Sequence, residues 1–477
     1  MLQRRIWGVL VSLLAPLATA ANTIERDVAI IGGGASGSYA AIRLREDYNL
    51  SVVVIEKATM LGGHVSTWVD EAGRGYEAGV QNYIDIGYAK EFFARMGVET
   101  GPPVRASVAR VDVDFSTGKK LDGSAPPAAD VQAALARYEA LAEQYLPILE
   151  PGWWTFPEPA AIPADLLLPF RNFTAKHNLT AAVPTIFSIT GFGVADLLSS
   201  PTLWVMRSFG YHMCRVMLRK DTSFVPKSGR NQDLYDKVLE SLGSDVLLSS
   251  TVLSSVRSRA DGPQSGVELQ VRDAAGSVKQ IKAKRMLFTP ALSQANTASF
   301  DFDMFEQSVF AALNYSTSYV GIVSHPSLPA NTSFFNVPAS EPGNSTTVLP
   351  TAPFSARFDN YAGTPYYRVI AVGNADMDID GARKIVKDSF WKITGDLSTH
   401  SPLVPLKFHY FKSHGLVSGS ATREDLEKGF IQWLNQLQGR WSTWYTGATW
   451  GVHLTTDQWV LTDTVLERLV DSLHEGE

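Results

Sequence analysis

Three glycines and one acid carry the clearest chemistry in the sequence. Gly32, Gly34 and Gly37 stand in the run Gly32-Gly33-Gly34-Ala35-Ser36-Gly37, directly after an apolar, β-branched stretch at 27–31. Residues 38–44 then read as a helix, and 50–55 as a second buried strand that ends at Glu56. The order is strand, Gly-x-Gly-x-x-Gly, helix, strand, acid. Glu56 lies 19 residues past Gly37, close to the spacing of about 20 that a dinucleotide site needs. Each residue type has a physical reason. Gly32 permits the tight turn out of the strand, Gly34 lets backbone approach a pyrophosphate, and Gly37 lets the helix pack on the sheet. The N–H groups of Ala35 and Ser36, at the positive end of the helix, face the phosphates. Glu56 can accept hydrogen bonds from ribose hydroxyls and disfavours a 2′-phosphate, which argues against NADP.

A second glycine pair follows the acid: Glu56-Lys57, then Gly62-Gly63-His64. Tyr76-Glu77-Ala78-Gly79-Val80-Gln81 comes next, and Trp444-Tyr445-Thr446-Gly447-Ala448-Thr449-Trp450 stands near the end. Together these segments resemble the flavin amine oxidase superfamily, and within it a Gly-Gly-His subgroup containing secreted fungal oxidoreductases and polyenoic fatty acid isomerases. The larger superfamily has Arg where this chain has His64. The resemblance implies FAD as cofactor. It implies that Lys57, Gly62, Gly63 and His64 lie along it, that Gly79 and Val80 turn beside the flavin, that Val252 meets the adenine, and that Gly447 and Ala448 close the far end. It also implies a fold: a Rossmann-type α/β FAD-binding domain with a discontinuous α+β substrate-binding domain.

Catalytic residues are less legible. FAD carries the redox step, and the protein supplies orientation and electrostatics. The family's lysine near the flavin is expected on the strand-like run 313–322, which has no Lys. The candidates are His64, Tyr410, Tyr445 and Trp450, with His453 and Asp457 in the same C-terminal segment. His64 is either a hydrogen-bonding loop histidine or a point of covalent flavin attachment. The aromatics either sandwich a planar or cationic substrate or simply pack. The reading is an oxidoreductase that takes a hydride from a small organic molecule, an amine or a specialised metabolite. A redox-neutral double-bond isomerase is the alternative, and a non-catalytic flavin-binding protein is the alternative from another class.

The elements that must position these residues fall in alternating blocks. Residues 24–115, 224–295 and 405–477 are expected to build the FAD domain, and 116–223 and 296–404 the substrate domain. The first insert opens with a helix at 128–149. The second holds strand-like runs at 319–323 and 366–372 around a Pro/Asn/Ser-rich loop at 326–353. A C-terminal helix is expected at 464–473.

Composition agrees with a large globular enzyme. The chain has 477 residues, 45% apolar and 19% charged, with net charge −6. That excludes a disordered chain and a nucleic-acid binder with basic runs. One cysteine, Cys214, allows no internal disulfide, and nothing resembles a zinc or iron ligand set. Residues 1–20 read as a signal peptide: Arg4-Arg5, an apolar run too short to span a bilayer, then Ala18-Thr19-Ala20. Sequons at Asn172, Asn178, Asn314, Asn331 and Asn344 agree with a secretory route.

Overall fold

Four strand ends lie level at one edge of a seven-stranded sheet. Strand β1 (Thr23–Ile31) runs into helix α1 (Ala35–Glu46), which returns to β2 (Val52–Ile55). β1 pairs in parallel with β2 on one side and with Val278–Phe288 on the other, so that Ile31 stands opposite both Ile55 and Phe288. Thr443–Tyr445 pairs in parallel beyond, with Tyr445 opposite Phe288. The structure is a computed structural model that describes residues 23–104, 107–123, 125–190, 196–259, 265–339, 348–395 and 404–474.

The sheet order is Thr251–Arg257, Val267–Arg272, Val278–Phe288, β1, β2, Val246–Leu247, with Thr443–Tyr445 on Val278–Phe288. Residues 28–31 and 52–55 are buried throughout, as central parallel strands covered on both faces must be. Full burial of each Val or Ile contributes roughly 1.5–3 kcal/mol before chain entropy is counted. Val278–Phe288 is one long strand, entered from a hairpin turn at Asp273–Ser277, where Gly276 has φ +82°.

The second sheet has six strands, in the order Lys407–Ser420, Asn314–Ser324, Tyr366–Asn374, Phe354–Asn360, Thr332–Asn336, Ala109–Val113. At one edge of this sheet β4 (Lys407–Ser420) pairs antiparallel with β3 (Asn314–Ser324). Two segments differ from the expected domain bounds. Ala109–Val113 and β4 both belong to this second sheet, although the sequence reading placed them with the cofactor sheet. Each is short or flanked by loop, so pattern alone does not say which sheet its hydrogen bonds complete. The loop expected at 326–353 also contains a strand, Thr332–Asn336, which aligns parallel to Ala109–Val113.

Helix Ala128–Leu149 forms as expected. The C-terminal helix α2 (Thr455–His474) begins nine residues earlier than its apolar face suggested. Its added turns pack on α1. Trp459 donates to the Ala35 carbonyl at 3.1 Å and stacks on Tyr39, while Arg43 pairs with Asp463 at 2.7 Å. Asn172, Asn178, Asn314 and Asn331 are all exposed. The leader and Asn344 lie outside the described residues.

Candidate flavin site

The loops that follow the level strand ends converge. Gly32 leaves β1 with φ +92°, a left-handed turn that a side chain resists. A Cβ on Gly37 would lie 1.9 Å from the Gly32 carbonyl oxygen, so only glycine lets α1 begin this close to the strand. Gly34 caps α1 without a side-chain bond, which leaves the first-turn N–H groups of Ala35 and Ser36 for a ligand. The second pair docks on the first. Gly62 N–H donates to the Gly33 carbonyl at 2.9 Å, and the backbone of Gly63 lies against that of Gly34. Gly79 then packs on His64, where a Cβ would fall 2.0 Å from the His64 carbonyl oxygen. Gly447, with φ +108°, passes the Thr289 carbonyl where the cofactor strands end. Ala448 follows it.

Glu56 ends β2 beside this edge. Its two oxygens accept from the N–H groups of Gly33 (2.6 Å) and Ala58 (2.7 Å). A carboxylate has about four acceptor positions, so capacity remains for ribose hydroxyls. Ser250 donates to the Glu56 carbonyl at 2.9 Å, which brings the chain to the acid two residues before buried Val252. Lys57 is exposed and contacts Asn296 at 3.4 Å. The cradle therefore fits a dinucleotide: two mutually docked glycine loops, an open helix N-terminus and an acid with spare acceptors.

His64 is accessible to solvent yet surrounded by protein, which places it on the wall of an internal cleft. Its ring stacks on that of His414, with centroids 4.7 Å apart and planes 3° from parallel. His64 Nε2 bonds the His414 carbonyl at 2.9 Å, and Ser66 Oγ bonds His414 Nε2 at 3.1 Å. Lys412 reaches across to the Gly63 carbonyl at 3.3 Å. Burial, reinforced by neighbouring charge, pushes all three cleft histidines down. His64 is lowered by burial and by Lys412. His414 is lowered well below the ordinary range by burial, then by His64, Lys412 and His453. His453 falls to about 3 through burial, His64 and Arg207. These histidines beside the glycine pair are thus held as neutral imidazoles.

The structure sorts the sequence candidates. Tyr410 lies on the same strand as Lys412 and His414, with Ser66 close enough to influence its hydroxyl, so it joins the cluster. Tyr445 does not. Its ring is fully buried, and its hydroxyl donates to Glu306 at 3.1 Å, beside the buried Arg257–Glu306 ion pair. Trp450 stacks on Tyr445 and is also buried. Both are packing residues, which corrects their candidacy; an aromatic run reads the same whether it lines a pocket or fills a core. Sequence reasoning missed Lys412, His414 and the role of His453. The alternation Tyr410, Lys412, His414 was a usable signal. The register shift between Ser318 and Tyr319 that inserts His414 into the β3–β4 ladder was not.

A Rossmann-type sheet with two docked glycine loops, joined to a second, mostly antiparallel sheet, is the fold of a flavoprotein oxidoreductase. Residues 30–96 match the family NAD(P)-binding Rossmann-like domain. Among solved structures, a conjugated-linoleic-acid-producing fatty acid isomerase from P. acnes is similar over 93% of this chain and 98% of its own, at TM-score 0.69 and 16% identity. Putrescine oxidase bound to putrescine is similar over 94% and 99%, at TM-score 0.62 and 15% identity. The β-cyclopiazonate dehydrogenase of Aspergillus flavus is 30% identical over 94% of each chain. The FAD-dependent oxidoreductase pigF of Monascus ruber is 30% identical over 93% of this chain and 92% of its own. The chain belongs to this family of FAD-dependent oxidoreductases, with an amine-oxidase-like fold.

Proposed function

We propose that this enzyme is a secreted oxidase or dehydrogenase that removes a hydride from a small organic substrate, an amine or a specialised metabolite. The observation that carries the reading is the stacked, neutral His64–His414 pair facing the cleft beside Gly62 and Gly63. Gly32, Gly34, Ala35, Ser36, Gly37 and Glu56 hold the dinucleotide, and Gly62, Gly63, Gly79, Val80, Gly447 and Ala448 line its reactive half. Bound FAD supplies the hydride acceptor. His414, kept neutral, offers its ring as a hydrogen-bonding group that orients the substrate, and the proton the substrate loses leaves to solvent. Ser66 and the stacked His64 fix its ring. Tyr410 shares the Ser66 contact.

Two other features support the reading. A relative named for one organic acid, β-cyclopiazonate, agrees with a small-molecule substrate. The leader pattern at 1–20 and the exposed sequons support secretion, and no helix of the described residues is long and apolar enough to cross a membrane.

The test is anaerobic mixing of the purified holoprotein with panels of amines and organic acids while flavin absorbance is followed. Bleaching by one class, with hydrogen peroxide on readmitting oxygen, is the expected result for an oxidase. His414→Ala should retain flavin and slow the bleaching by up to about tenfold, the cost of one lost orienting hydrogen bond. A shifted double bond with no net reduction would replace this reading with isomerisation, and no response to any substrate would favour a flavin carrier.

A further inference from the structure

A second cavity lies apart from the glycine loops. It has a volume of about 280 Å³ and is walled by Ile86, Pro151, Val452 and Val460, with Glu150, His212 and Asp457 among them. Its polar groups are two carboxyls and an imidazole in an otherwise apolar box.

Those carboxyls lack cations. Asp457, in the first turn of α2, is only 6% exposed, and its Oδ2 has no hydrogen-bond partner among the described residues. Glu150 accepts from the Tyr211 backbone and lies 3.7 Å from His212 Nε2. The other His212 nitrogen already faces Asp221 at 3.1 Å, and Asp221 is in turn held by Arg215 at 2.8 Å. No Lys or Arg among the described residues forms an ion pair with Glu150 or Asp457. Burial raises both carboxyls, and each is close enough to influence the other's ionisation or that of His212.

A buried carboxylate oxygen without a partner is costly. Asp457 presents one such oxygen to the cavity with Glu150 beside it, an arrangement that invites a cation. A metal ion is the poorer fit. Hard cations take about six to eight oxygen ligands, and no group of three His, Cys, Asp or Glu among the described residues is placed to hold one. The apolar walls suit a cation with a short hydrocarbon tail. Volume, wall and charge agree on that class.

We propose that the Glu150–Asp457 cavity binds a small alkylammonium ion, its head on the two carboxyls and its tail against Ile86, Val452 and Val460. None of the glycine-loop residues, nor His64 or His414, lines this cavity. Val452 and Asp457 wall the cavity, whereas His453 between them is influenced by His64 in the cleft.

Isothermal titration of the holoprotein with propylammonium chloride tests the proposal, with sodium chloride and 1-propanol as controls. The expected result is saturable binding of one propylammonium, none of propanol, and an unchanged flavin spectrum. Asp457→Asn and Glu150→Gln should each weaken the affinity at least about tenfold; if one variant does not fold, the other decides. Absence of saturable heat, equal affinity in a folded variant, or binding that perturbs the flavin spectrum and survives both substitutions would each overturn it. The last outcome would place the amine in the flavin cleft instead.

Discussion

Replacing Glu77 by Gln should remove a specific pH dependence from the stability of the fold. Glu77 stands two residues before Gly79, at the end of the short strand Gly75–Glu77. It is 8% exposed. One oxygen accepts from Thr67 Oγ1 at 2.6 Å and from Asn231 N–H at 2.8 Å. The other has no partner among the described residues. Burial dominates over these two bonds and pushes the carboxyl from its ordinary 4.5 up to about 7. The native state therefore holds a proton that the unfolded chain releases near 4.5. Stability from this group is complete at low pH, declines as pH rises from about 4.5, and is lost once pH passes about 7. At about 1.36 kcal/mol for each tenfold in proton concentration, the interval amounts to about 3 kcal/mol. Gln cannot ionise, and its amide oxygen keeps both bonds. Glu77→Gln should thus gain about 3 kcal/mol on the wild type between roughly pH 4.5 and 7, then hold a constant difference above. Urea denaturation of both holoproteins across that range reads the difference directly. A stability difference independent of pH would refute the reasoning, since it would mean that Glu77 ionises normally in the folded state.

Three further outcomes are expected. Tyr445→Phe should lose about 1.5–3 kcal/mol, the usual value of a hydrogen bond to a charged group, while flavin content and the rate of flavin reduction stay near wild type. A large loss of rate at unchanged stability would return Tyr445 to the catalytic residues. Gly37→Ala forces a Cβ onto the Gly32 carbonyl, so the purified variant should carry little flavin by its absorbance ratio. Retention of a full flavin complement would contradict the loop geometry. Because His64, His414 and His453 are all lowered, mainly by burial, flavin reduction should keep its rate as pH falls through 6.5, the ordinary histidine value. A break at that pH would show that the cleft histidines titrate as if exposed.

The cofactor half of the fold was legible because its signal is local. Gly32, Gly34, Gly37 and Glu56 sit within one strand–helix–strand unit, where every residue type has a backbone reason. Sheet membership was not local. Ala109–Val113 and Lys407–Ser420 have ordinary strand patterns, and only partners far along the chain decide which sheet they join. The catalytic side was obscured for a related reason. His414, which bonds Ser66, sits at a bulge in the β3–β4 ladder that depends on pairing far along the chain. The aromatic run at 444–450 advertised a pocket, but its tyrosine serves the buried Arg257–Glu306 pair. The strand next to β3 does carry a lysine, Lys412, whose amine reaches the Gly63 carbonyl.

The account rests on FAD seated across the two docked glycine loops, with the cleft histidines at its reactive end. An absorption spectrum of the purified protein, before and after acid precipitation, tests this most directly. Oxidised-flavin bands are expected in the native protein and should be lost from the purified Gly37→Ala variant. Colour left in the precipitate would identify a covalent link, with His64 the first residue to replace. A colourless protein that takes up no added FAD would contradict the account.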